Sequence, residues 1–219
     1  MANVVSVNLA RPRANPDKPA AITGIDKVPT TEHVEVRDPG PRRGGLGSGL
    51  VGDTIGNSKF HGGDDQAVYA YAREDLDEWQ LTLNRTLTNG SFGENFTTTG
   101  VDVTGARIGE RWHVGDGGLV LEVSCPRTPC RTFAAWLEIS GWMKTFTAAA
   151  VPGAYLRVIT PGTVHAGDAI TVTDRPDHDV TVGVVFRAQM SEPELLPRLL
   201  DIDALPESIR SYARRRLTA

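Results

Sequence analysis

Short β-type runs constrain this chain more than any other feature. NVVSVNL (3–9), AAITGIDK (20–27) and HVEVR (33–37) come first. QAVYAYA (66–72), LVLEVS (119–124), AYLRVIT (154–160), AITVT (169–173) and DVTVGVVF (179–186) follow. Each run is β-branched or alternating and is bounded by Gly, Pro or Asp, the usual punctuation of strands. Gly (23) and Pro (14) are abundant without any repeat, which favours turns over long helices. The spacing predicts a mainly β barrel or sandwich.

Helical signals are fewer. REDLDEWQLTL (73–83) puts Leu76, Trp79 and Leu83 on one face. CRTFAAWLEI (130–139) predicts a helix that starts near Cys130, just after Pro129, and GWMKTFTAAA (141–150) predicts a second short one. From Ser191 onward the strand pattern stops. Ser191 can cap a short helix and Pro206 can open another. The expected organisation is therefore a β domain over 1–187 and a small helical tail over 191–219. The alternative is a C-terminal helix packed on the β domain.

The formal net charge of −4 argues against a general nucleic-acid binder, which would carry clustered Lys and Arg. The one dense basic cluster, Arg214 to Arg216, suits the negative end of a last helix. The N-terminus lacks the basic segment of a signal peptide, and nothing approaches ~18 uninterrupted apolar residues. The two cysteines, Cys125 and Cys130, fit a reduced cytoplasmic setting and no membrane.

Four segments can carry chemistry. In CPRTPCRTF (125–133), Cys130 lies between Arg127 and Arg131 at an expected helix start, where positive charge stabilises a thiolate. Cys125 ends a strand and lacks that setting, and both cysteines as small buried hydrophobes remain the alternative. In KFHGGDDQAVYAY (59–71), Gly62 and Gly63 let backbone N–H groups approach an anion, and His61 can donate a hydrogen bond. A plain turn is the other reading. In SFGENFTTTGVDV (91–103), Phe92 and Phe96 can anchor a turn that aims Glu94 and Asn95 at a pocket, while Glu94 also reads as a surface acid. Arg11, Arg13 and Lys27 are spread as an anion site would need, or are solvated charges. The Gly-rich stretch 38–65 is long enough to suggest function.

Together HGGDDQAVYAY (61–71), FGENFTTTG (92–100), PRTPC (126–130) and GAYLRVITPGTVHAGDAI (153–170) resemble the MOSC family, named for the C-terminal domain of molybdenum-cofactor sulfurases. TGIDKVP (23–29) is similar to the early part of stand-alone bacterial members linked to 6-N-hydroxylaminopurine resistance. The resemblance implies a MOSC-type β-barrel with a few short helices and a small C-terminal helical appendage. It implies a molybdenum–molybdopterin cofactor, with Cys130 as the metal ligand. Lys27, His61, Gly62, Gly63, Asn95, Arg127 and Arg131 would surround the cofactor. Cys130 and His61 would act in catalysis. Asp64-Asp65-Gln66 stands where the family carries Pro-Asp-Lys, which puts the role of Gln66 in question.

The implied activity is detoxifying reduction of N-hydroxylated compounds, such as N-hydroxylated purine bases, to amines. The chain has no Gly-x-Gly-x-x-Gly after a strand and no iron–sulfur cysteine spacing, so electrons would come from a separate reductase. A homodimer stays open. Two other functions remain: a carrier of molybdenum cofactor or of sulfur on Cys130, and an interaction module that binds no metal.

Overall fold

The computed structural model describes residues 1–218. The strands are β1 (Asn3–Ala10), β2 (Arg13–Ala14), β3 (Ile22–Thr23), β4 (Lys27–Thr30), β5 (Val34–Val36), β6 (Val68–Ala72), β7 (Phe96–Thr99), β8 (Arg111–Val114), β9 (Leu119–Pro126), β10 (Ala154–Thr160), β11 (Gly162–Val164) and β12 (Ile170–Asp174). The helices are α1 (Arg73–Leu83), α2 (Arg131–Leu137), α3 (Trp142–Ala149), α4 (Val182–Met190) and α5 (Glu207–Leu217). Short 3₁₀ turns cover Asp64–Gln66 and Pro193–Leu199.

Eight strands form one mainly antiparallel sheet in the order β12-β8-β9-β10-β6-β7-β1-β4. The fold is thus mainly β with several helices; the hydrogen-bonded order runs from β12 to β4 and does not by itself close a barrel. One isolated bridge, Asn3 to Ala169, ties β1 to the start of β12. The β6–β7 pair is parallel, and α1 is the crossover such a pair requires. Leu76 and Trp79 of α1 are buried as their spacing predicts.

Several sequence expectations fail, among them Ser191 as a helix N-cap, since it ends α4 and Glu192 precedes the next 3₁₀ turn. DVTVGVVF is not a strand: Thr181 caps α4, its side chain accepting from the Val184 N–H at 3.2 Å. A continuous apolar run suits a buried helix as well as a buried strand, and here residues Val182 to Phe186 are all buried. The run 20–27 is mostly loop, with only Ile22–Thr23 paired before β4 begins at Lys27. Phe96 does not anchor a turn but opens β7, and β2, β7, β8 and β11 had no counterpart among the expected runs.

The interior has two apolar clusters. One lies against the sheet and includes Val4, Val68, Trp112 and Leu121. Leu196, Leu199, Ile202, Leu205 and Ala213 of the C-terminal segment belong to it. The other is aromatic: Trp79, Phe92, Phe133, Trp142, Phe146 and Phe186 meet between α1, α2, α3 and α4. Phe133 contacts Trp142 edge-on at 5.4 Å, a favoured aromatic arrangement. This cluster holds α2 against the sheet and so fixes where β9 delivers Arg127 and Cys130.

Candidate functional site

A cavity of about 470 Å³ opens where the end of β9, the start of α2 and the Gly-rich connection meet. That volume suits a small molecule or cofactor. Lys27, His61, Gly62, Asn95, Arg127, Cys130 and Arg131 all line it, although they are far apart in sequence. Gly63 does not. Its N–H donates to the Gly47 carbonyl at 2.9 Å, and a Cβ there would lie 2.6 Å from the Arg42 nitrogen. Gly63 therefore shapes the turn, which its φ of 79° also requires.

Cys130 is the residue just before α2, in extended backbone, and is half-buried. Cys125 is buried away from the cavity lining, and burial pushes its thiol up to about 11. Arg127 is the most distinctive group. It is only 6% exposed. One guanidinium nitrogen donates to the Phe92 carbonyl at 2.6 Å, and the group lies 3.7 Å from the Phe133 ring centroid and 5.3 Å from that of Tyr69. Among the described residues no carboxylate reaches it within ion-pair distance. Aromatic faces and one carbonyl favour a cation, but they do not cancel its charge.

The other cations differ. Lys27 is buried and its Nζ lies 2.6 and 2.7 Å from the two Asp53 oxygens. Asp53 also accepts from the Ala10 N–H at 2.9 Å, Ser48 Oγ at 2.8 Å and Asn95 Nδ2 at 2.9 Å. Burial works to raise the Asp53 pKa, but Lys27, Asn95 and Ser48 outweigh it and hold the carboxyl below its usual value. Asn95 also accepts from the Tyr69 N–H, so its amide is committed at both ends. Arg131 is 78% exposed and pairs with Asp17 at 3.0 Å. Arg11 and Arg13 both pair with Asp26 and do not line the cavity.

His61 is neutral near pH 7: burial first, then Arg127 and Arg42, lower its pKa to about 4. Glu94 meets neither expectation. It is fully buried, does not line the cavity, and accepts from the Gly90 and Phe92 N–H groups and from Thr97 Oγ1. That makes it the organiser of the 90–97 turn. Asp53 escaped sequence reading because nothing within a few residues marks it. Its partners are 5 to 43 positions away. Tyr69 and Tyr155 also line the cavity, and alternation along their strands was the only clue to them.

The MOSC domain family matches residues 57–171, more than half of the chain. The chain belongs to the MOSC domain family. The matched span holds His61, Asn95, Arg127 and Cys130, while the Lys27–Asp53 pair lies upstream of it. Over 213 residues this MOSC chain is 29% identical to the protein YflK of Bacillus subtilis (strain 168), covering 95% of the chain and 91% of YflK. It is 30% identical to Protein YiiM of Escherichia coli (strain K12) over 179 residues, 78% of each. The crystal structure of YiiM from Geobacillus stearothermophilus superposes with a TM-score of 0.78 at 24% identity, covering 99% of this chain and all of that one. That likeness shows a shared fold over the whole chain, C-terminal helices included.

Proposed function

We propose that this chain binds a molybdenum–pterin cofactor in the cavity and reduces N-hydroxylated compounds, N-hydroxylated purine bases among them, to amines. Arg127 carries the reading. A buried cation without a counter-ion is costly, and an anionic ligand beside it removes that cost. The cofactor's phosphate is such a ligand, and the thiol of Cys130 stands on the same wall as a soft metal ligand. The donor set therefore fits the group.

Each residue then has a part. The Arg127 guanidinium holds the phosphate, with the Gly62 backbone beside it. Cys130 holds the metal. Lys27 and Asn95, both tied to Asp53, keep the cavity wall rigid. Arg131, its charge answered by Asp17, sits exposed at the rim. Ile22 and Phe60, exposed at the mouth, offer apolar surface to a flat base. His61, neutral near pH 7, donates its ring N–H to the substrate oxygen. When bound, the cofactor supplies a centre that passes two electrons to the substrate. The N–O bond breaks, two electrons and two protons are taken up, and amine and water form. A separate reductase supplies the electrons. We also read the sheet as the wall of a barrel, with the Asn3–Ala169 bridge as its seam.

The test is protein purified from a host that makes molybdenum cofactor, analysed for metal and pterin. It is then assayed against 6-N-hydroxylaminopurine with a chemical reductant. Bound cofactor with turnover is expected. Bound cofactor with no turnover on any hydroxylamine would leave a carrier, and protein with neither metal nor pterin would refute the reading.

A further inference from the structure

Tyr155 of β10 lines the cavity beside its cross-strand neighbour Tyr69 of β6. The two phenols differ in one respect. The Tyr69 hydroxyl donates to the Pro152 carbonyl at 2.8 Å. The Tyr155 hydroxyl has no hydrogen-bond partner among the described residues, and it keeps accessible surface, for Tyr155 is only half-buried. The backbone accounts for its placement. Tyr155 pairs with Cys125 and Leu156 with Val123, so Ser124 is an extra residue on β9. Such a bulge bends the strands and re-aims side chains, a device common beside reaction centres. Arg127 and Cys130 both lie near enough to influence the ionisation of Tyr155. Its hydroxyl therefore stands close to the thiol that would hold the metal.

We propose that the Tyr155 hydroxyl donates a hydrogen bond to the N–O oxygen of the substrate and passes its proton to that oxygen as the N–O bond breaks. The inference rests on the reduction proposed above and adds its proton source. Two electrons, supplied by the separate reductase through the cofactor, enter the N–O bond. The departing oxygen takes the phenol proton and leaves as water. The nitrogen takes a second proton from solvent and becomes the amine, and solvent returns a proton to the phenolate. Burial, only partly offset by Arg127, pushes the phenol up to about 12, so it holds its proton at pH 7. It is still a stronger acid than water, whose pKa is about 15.7, so transfer to a departing hydroxide is favourable. His61 can share the oxygen as a hydrogen-bond donor, but it is neutral at pH 7, and a neutral imidazole releases its N–H proton far less readily than a phenol. Lys27 and Asn95 are tied to Asp53.

Tyr155→Phe keeps the ring and removes only the hydroxyl. Cofactor-loaded, unreduced protein is titrated by calorimetry with 6-N-hydroxylaminopurine and with adenine, the amine that lacks the oxygen. The variant should lose about three- to tenfold in affinity for the N-hydroxyl compound, the range of one hydrogen bond, and nothing for adenine. Equal losses for both purines would overturn the proposal. With a chemical reductant, kcat should fall by about a hundredfold or more, the usual effect of removing a general acid. An unchanged kcat would also overturn it. Pterin per mole of protein and the melting temperature of the cofactor-free protein should both match the wild type. A fall in either that accounts for the lost turnover would make the hydroxyl a cofactor contact or a structural group instead. If the wild-type protein holds no pterin, or holds it without turnover, the reduction reading itself falls and takes this inference with it.

Discussion

Arg127 and Lys27 are both cations buried at one cavity, and their partners separate their roles. The ammonium of Lys27 is spent on Asp53. The guanidinium of Arg127 has only a carbonyl and two aromatic faces. Asp53 gathers Lys27, Ser48, Asn95 and the Ala10 N–H around one carboxylate with 0% side-chain exposure. Asp53→Ala should therefore cost about 3–5 kcal/mol, the usual penalty for stranding a buried ion-pair partner. Urea denaturation of the cofactor-free protein measures it, and a loss below about 1 kcal/mol would show that water or a neighbour replaces the carboxylate. The two cysteines separate in the same way. Cys130→Ser should abolish reduction of 6-N-hydroxylaminopurine, because a hydroxyl is a poor substitute for a soft sulfur ligand. Cys125→Ser should keep most of the turnover per bound cofactor, because that side chain is buried outside the cavity lining. The reverse result would put the metal on the wrong cysteine.

At the scale of elements, α1 was legible from its sequence to the residue. Leu76 and Trp79 repeat at helical spacing, and the charged positions between them face solvent. One residue on it is out of place energetically. Burial, followed by Asp102, Glu74 and Glu78, pushes Asp75 up to about 6. Between its ordinary value of 3.8 and about 6 the folded chain therefore holds more of this proton than the unfolded chain does. Asp75 costs stability above about pH 6, and the cost vanishes below 3.8. Asp75→Asn should raise stability at pH 7 by about 1–2 kcal/mol and add nothing near pH 3.5. Melts at both pH values test this; an equal gain at both would point to something other than the carboxylate's charge. The error over 179–186 has a different origin. Val-Gly-Val-Val-Phe is apolar on every side, so it carries neither period. The Thr181 cap and packing on all faces choose the helix.

At the scale of the molecule, the C-terminal segment is part of the main core. Leu196, Leu199, Ile202, Leu205 and Ala213 are buried in the cluster that lies against the sheet. Arg157 of β10 also donates to the Ala204 carbonyl at 2.7 Å. Burying four aliphatic side chains contributes about 1.5–3 kcal/mol each, which together rivals the stability of an ordinary domain. A chain ending at Ser191 should therefore lose cooperative unfolding when melted and followed by circular dichroism. An unchanged melting temperature would instead make the segment an independent appendage. Among the described residues no helix is long and apolar enough to cross a membrane.

The sequence by itself determined the local features. Alternation marked most strands, the 3.6-residue period marked α1, and Pro129 placed Cys130 just ahead of α2. The family motifs pointed to Lys27, His61, Gly62, Asn95, Arg127, Cys130 and Arg131, and these groups do meet at the cavity wall. Each of those signals is carried within a few residues, where backbone geometry and side-chain period act. Tertiary structure alone decided which charges are answered. Arg127 and Arg131 look equivalent in CPRTPCR, yet Asp17 reaches one and no acid reaches the other. Asp53 finds Lys27 26 positions away, and Glu94 turns inward to three donors. Desolvation and charge pairing depend on which distant segments the fold brings within about 3 Å, and no local pattern in a single chain encodes that distance.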